Sequence, residues 1–135
     1  MNTQSSYVPA FGRLLIAVLF IFSGLGKLAA PAMTQSYIAS AGVPAPMLGY
    51  ILAIVVELGG GVLLVVGFRT RIVALVTAIF TVAAAASFHR NFADQNLVIH
   101  FLKNISIVGG LIQVFAFGPG AFSFDGRWTA PVAAQ

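Results

Sequence analysis

Apolar residues in this chain fall into four long runs, at roughly 11–30, 47–68, 71–88 and 99–117, set apart by groups of glycine, proline and polar residues. A bilayer core takes about 20 mostly apolar residues per helix, so each run predicts a membrane-spanning helix. The segment 31–46 differs from them. Met33, Tyr37, Ile38 and Ala41 fall at i, i+4, i+5 and i+8, one face of a short helix. Gly42 is placed to close that helix, and Pro44 and Pro46 prevent its continuation. With Tyr37 at headgroup level, it is expected to lie in the interface. Arg69-Thr70-Arg71 is so tight a link that the second and third helices must be antiparallel neighbours. A polar loop, His89–Asn96, precedes the fourth run, and Gly118-Pro119-Gly120 stops it, leaving a short, partly polar tail. The expected architecture is all-α: an integral membrane four-helix bundle with a short interfacial helix between helices one and two, in one domain over 1–135.

Composition reinforces that picture. Hydrophobic residues make up 59% of the chain and charged residues 7%, against about 25% charged in soluble domains. The surface is therefore built for membrane lipid. The first run has the look of a secretory h-region, but no charge precedes Arg13 and Lys27 interrupts the run, so it is read as a retained helix. Seven scattered basic residues give the net charge of +4 without forming a cluster, so no nucleic-acid partner is expected. Arg13, Arg69, Arg71 and Arg127 fall on one side of the membrane, and Lys27, Arg90 and Lys103 on the other. They read as anchors and topology signals, and they favour cytoplasmic N- and C-termini. There is no cysteine, which excludes thiolate chemistry and cysteine-ligated metals within the chain. The two histidines, His89 and His100, are too far apart in sequence to form an i, i+4 ligand pair. No metal site is assigned.

Candidate chemistry centres on Glu57, an ionisable group about 15 Å below the start of the second helix at 1.5 Å per residue. Ala53, Glu57, Gly60 and Gly61 share a face, and small residues mark helix contacts in membranes. Glu57 is thus expected to point into the bundle. Arg13, Ala17, Phe20, Ser23, Gly24 and Lys27 line the matching stripe of helix one, and Ala74, Ala78, Thr81 and Ala85 that of helix three. On helix four, Lys103, Ser106, Gly110 and Gln113 are expected to turn inward. Lys103 then approaches Glu57, while Lys27 snorkels to the interface. Lys27, His89, Arg90, His100, Lys103 and Asn104 would form a basic mouth above the carboxylate. Two readings of Glu57 stay open: a charge that fixes the fold by pairing with Lys103 or Lys27, or a functional carboxylate.

Taken in order, Ser23-Gly24-Leu25-Gly26-Lys27, Ala41-Gly42-Val43-Pro44, Glu57-Leu58-Gly59-Gly60-Gly61 and Gly67-Phe68-Arg69-Thr70-Arg71 resemble the DoxX family. Phe88-His89-Arg90-Asn91-Phe92, Lys103-Asn104 and Gly118-Pro119-Gly120-Ala121-Phe122-Ser123-Phe124-Asp125 extend the likeness over most of the chain. The resemblance implies a small four-helix protein of the bacterial inner membrane, loosely tied to membrane redox and oxidative-stress complexes. It carries over Lys27, Glu57, His89, Lys103 and Asn104 as site positions. The functional expectation is a quinone-linked oxidoreductase subunit or accessory. Glu57 and His89 would be catalytic, with Lys27, Lys103, Asn104, Arg90 and His100 binding ligand. Its partner would be a redox protein or a second copy. The alternative is a non-enzymatic module or scaffold that binds lipid or a small amphiphile.

Overall fold

The computed structural model describes residues 3–129. Helix α1 (Thr3–Ala29) is followed by the short α2 (Pro31–Ser40), then α3 (Pro46–Val66), α4 (Thr70–Phe88), α5 (Gln95–Phe117) and α6 (Phe124–Thr129). Helices α1, α3, α4 and α5 are each long and apolar enough to cross a bilayer, as the four runs require. Tyr7, Val8 and Phe11 extend the apolar stretch of α1, which starts at Thr3 and not near residue 11. Asp94 accepts from the Asn96 N–H at 2.9 Å and starts α5 ahead of its apolar run. Helix α6 lies in what reads as an unstructured tail.

The interior is narrow. Ala17, Phe20, Leu64, Val73, Ala74, Ala78, Val108 and Leu111 form it, while most large apolar side chains face outward to lipid. Helices α1 and α3 approach closely because small residues meet there. A Cβ on Gly61 would lie 2.7 Å from Ile21 Cγ1, and one on Gly24 2.6 Å from Leu58 Cγ. Tyr37 stacks on Phe88 with ring centroids 5.0 Å apart, tying α2 to the end of α4.

Of the inward stripe expected of the fourth helix, Gly110 alone packs inward, against Ile16 of α1. Lys103, Ser106 and Gln113 are exposed, and α5 instead buries Val108 and Leu111 and half-buries Asn104, Ile107 and Val114. The reason is physical. Ser106 donates to its own Leu102 carbonyl at 3.0 Å, and lysine and glutamine near helix ends can reach the interface. Their polarity does not force them inward, and the fit of branched residues against Ala74 and Ala78 of α4 sets the rotation of α5.

At the end of the bundle holding the termini, Arg13 is more than an anchor. It is 1% exposed and donates to the carbonyls of Leu64, Val65, Pro119 and Phe122. The guanidinium satisfies carbonyls that the end of α3 leaves orphaned and straps the segment after α5 to them. Gly67 (φ 70°) closes α3 in the left-handed region, and the Gly67 and Phe68 N–H groups both return to the Leu63 carbonyl. Next comes Arg69, the one described non-glycine residue with positive φ, at 46°. Its N–H and that of Thr70 donate to the two Asp125 carboxylate oxygens, each at 2.8 Å. Asp125 thereby caps α4 from a distant part of the chain. Burial works to raise the Asp125 pKa. The Thr70 and Arg69 N–H groups and the Arg13 charge outweigh it and hold the carboxyl below its ordinary value.

Candidate functional site

Glu57 sits within a π-helical turn, Val55–Gly59, in the middle of α3. Such a turn inserts extra backbone into an α-helix and is frequent at functional sites. Here it accompanies a residue only 6% exposed, facing the gap that Gly24 leaves on α1. Lys27 meets it. The Lys27 ammonium donates to Glu57 Oε1 at 3.0 Å, to Glu57 Oε2 at 2.9 Å and to Ser23 Oγ at 2.8 Å. An ammonium has three donors, and all three are used. The Tyr50 hydroxyl donates to the Lys27 carbonyl at 3.1 Å and fixes the end of α1. Lys27 therefore turns inward where snorkelling was expected, and the exposed Lys103 takes no part in the pair.

Beside Glu57 lies a cavity of about 140 Å³, walled by all four spanning helices. Leu19, Phe20 and Ser23 come from α1, Glu57 from α3, Phe80, Thr81 and Ala84 from α4, and Asn104 and Ile107 from α5. The Thr81 hydroxyl is committed to the Thr77 carbonyl at 2.7 Å. The Asn104 amide lines the cavity and has no hydrogen-bond partner among the described residues. The polar groups lining it are thus the Glu57 carboxylate, the Ser23 hydroxyl and the Asn104 amide, alongside the rings of Phe20 and Phe80. A cavity of about 150 Å³ is enough to hold a benzene molecule, so this space suits a single ring.

The basic mouth separates into different places. His89 and His100 are brought together from α4 and α5, their rings stacked with centroids 5.4 Å apart. Burial, and secondarily the neighbouring His100, push the His89 pKa below its ordinary value. His89 lies five residues beyond Ala84, roughly 7.5 Å along the chain direction of α4. Neither histidine lines the cavity, and Arg90 and Lys103 are exposed. Of the ligand-binding candidates, Asn104 alone lines the cavity directly, while Lys27 acts on it through Glu57. Phe80 escaped sequence reasoning because on its own helix it reads as one more lipid-facing aromatic. Its place beside Thr81, on the inward stripe of α4, was the available signal.

Comparison with known proteins fits this architecture. The DoxX family profile matches residues 8–90, more than half of the chain. The chain belongs to the DoxX family. It is 45% identical over 113 residues to inner membrane protein YqjF of Escherichia coli, covering 84% of this chain and 85% of that protein. To inner membrane protein YphA of the same organism it is 36% identical over 120 residues, covering 85% and 86% of the two chains. A Bacillus subtilis protein named "Putative oxidoreductase CatD" is 30% identical over 140 residues, covering 99% of this chain and 100% of that one. No solved structure matches the chain significantly. This DoxX member is an inner-membrane protein in contact with lipid.

Proposed function

We propose that this DoxX protein binds a quinone-class ring beside Glu57 as a subunit of a membrane redox assembly. The observation that carries the reading is the ring-sized cavity onto which a buried carboxylate and an unpartnered amide both face. When bound, a quinone supplies two-electron, two-proton chemistry. The residues present fit such a group. Phe20 and Phe80 would line the space for its ring, the Asn104 amide would donate to an oxygen on it, and Glu57 would receive a proton. Lys27 holds the carboxylate in place through hydrogen bonds to both of its oxygens. Once Glu57 takes a proton, Lys27, whose side chain is 27% exposed, is free to turn toward the headgroups and the carboxyl can pass the proton on. With no cysteine in the chain, the reading calls for a partner protein to carry the electrons. The name of the Bacillus relative supports the class of chemistry. His89, His100, Arg90 and Lys103 stand outside this proton step. In the same reading both termini lie on the cytoplasmic side.

The test is a purification in mild detergent, with an absorbance spectrum and mass spectrometry of the organic extract. The reading expects near-stoichiometric quinone from the native protein and its loss from both Glu57→Gln and Asn104→Leu. Native protein that extracts only with phospholipid overturns it.

A further inference from the structure

A second concavity lies at the opposite end of the bundle from Lys27, where the link between α3 and α4 meets the segment after α5. Its volume is about 850 Å³, between the Arg69-Thr70-Arg71 link and the turn after α5, and Asp125 also borders it. Arg69 and Arg71 are exposed, and neither side chain has an acidic or hydrogen-bonding partner among the described residues. The Arg71 guanidinium lies over Gly118, where a Cβ would meet Nη2 at 3.3 Å and Nε at 3.4 Å. Asp125 brings a negative charge to the same wall. Its two oxygens accept the Arg69 and Thr70 N–H groups and its charge faces Arg13, and among the described residues it forms no ion pair with the Arg69 or Arg71 guanidinium. The backbone adds a further clue. Arg69 occupies a left-handed conformation that glycine adopts freely, so a cation is kept there at a conformational cost.

The rest of the wall is apolar and continues onto the lipid-facing surface. Ile72 and Phe117 border the cavity, and they are 58% and 80% exposed. Ile72 stands in the first turn of α4 and Phe117 ends α5, so the arginines stand at the depth of lipid phosphates. Paired cations above an apolar wall match an amphiphile with an anionic head, and basic pockets between membrane helices bind such headgroups.

We propose that Arg69 and Arg71 form a binding site for the phosphate of an anionic glycerophospholipid, its chains running along Ile72 and Phe117. The site is separate from the Glu57 cavity and stands whether or not a quinone binds there. Lipid is favoured over free phosphate because the cavity opens onto the hydrocarbon-facing surface and not onto solvent alone.

Native mass spectrometry of the full chain in detergent, titrated with phosphatidylglycerol or phosphatidylcholine, tests the site. The native protein should prefer phosphatidylglycerol. A Coulombic contribution of about a factor of five per arginine predicts roughly thirty-fold weaker binding in the doubly substituted Arg69→Gly, Arg71→Gln protein. Glycine suits the local backbone, so that variant should fold, and circular dichroism checks it. Arg71→Gln alone, which leaves the strained position untouched, should lose about five-fold. The Arg69→Lys, Arg71→Lys protein, which keeps both charges, should retain the preference. Equal binding of the two lipids, or an undiminished preference in the folded neutral variants, overturns the proposal. So does displacement of phosphatidylglycerol by millimolar inorganic phosphate, which would make the site one for the free anion.

Discussion

Replacing the two members of the mid-membrane ion pair separately should have unequal effects, and the structure says which is worse. Lys27→Met leaves Glu57 with Ser23 as its nearest polar neighbour on α1 and a side chain only 8% exposed. Stranding a buried charge in this way costs about 3–5 kcal/mol. Glu57→Gln is milder for two reasons. The amide oxygen still accepts one hydrogen bond from Lys27, and the Lys27 side chain, 27% exposed, can carry its charge outward. That change should cost about 1.5–3 kcal/mol, the range for a hydrogen bond to a charged group. The protein with both substitutions, a methionine packed beside a neutral amide, should fall closer to native than Lys27→Met does, because no charge is left buried. Unfolding in mixed micelles with rising dodecyl sulfate, followed by helical circular dichroism, measures all four proteins. The reasoning fails if Lys27→Met is no less stable than Glu57→Gln, or if the double variant is worse than the sum of the singles.

Three further outcomes follow from the other end of the bundle. Gly67→Ala should destabilise by about 2–4 kcal/mol, combining a left-handed alanine with overpacking; its Cβ would overlap Ser123 and lie 2.7 Å from Arg13 Nη1. Chemical denaturation of that variant checks it, and a loss below about 1 kcal/mol would mean that the terminal segment moves aside freely. Asp125 has a folded pKa below its unfolded value. Its contribution is therefore complete above about pH 4 and is lost as the pH falls through the folded value; denaturation at stepped pH should show this, and Asp125→Asn should flatten the profile. If both termini are cytoplasmic, a phosphatase fused after Gln135 stays inactive and a fluorescent protein fused there is bright, whereas the opposite pair of results reverses the topology.

What could be read from the sequence depended on whether a residue's environment was set by its own helix. The four spans were legible because lipid demands long apolar runs, and the short helix α2 because Pro31, Gly42 and Pro44 punctuate it. The inward face of α3 was legible because glutamate at mid-depth has few alternatives, and the structure buries it. The rotation of α5 was not legible. It is set by packing against the alanines of α4, which no periodicity within α5 encodes. The role of Arg13 was hidden for a related reason. Its partners are backbone carbonyls of residues 64, 65, 119 and 122, and a carbonyl has no sequence letter.

The same logic explains why the expected basic mouth divided. A sequence reading groups charges by depth, and Lys27, Lys103, His89 and His100 do belong to the same end of the bundle. Depth is only one coordinate, and rotation about each helix axis is the other. Rotation turns Lys27 onto Glu57, turns Lys103 to lipid, and stacks the two histidines against each other. Asn104, adjacent to Lys103 in sequence, is carried about 100° round the helix by that one step and lines the cavity that Lys103 misses. An exchange of these neighbours, Lys103→Asn with Asn104→Lys, preserves composition and depth while putting a second cation beside Glu57. If rotation decides the chemistry, ligand retention should be lost in the exchanged protein while Lys103→Asn alone keeps it. Equal retention in the two would mean that depth alone is enough.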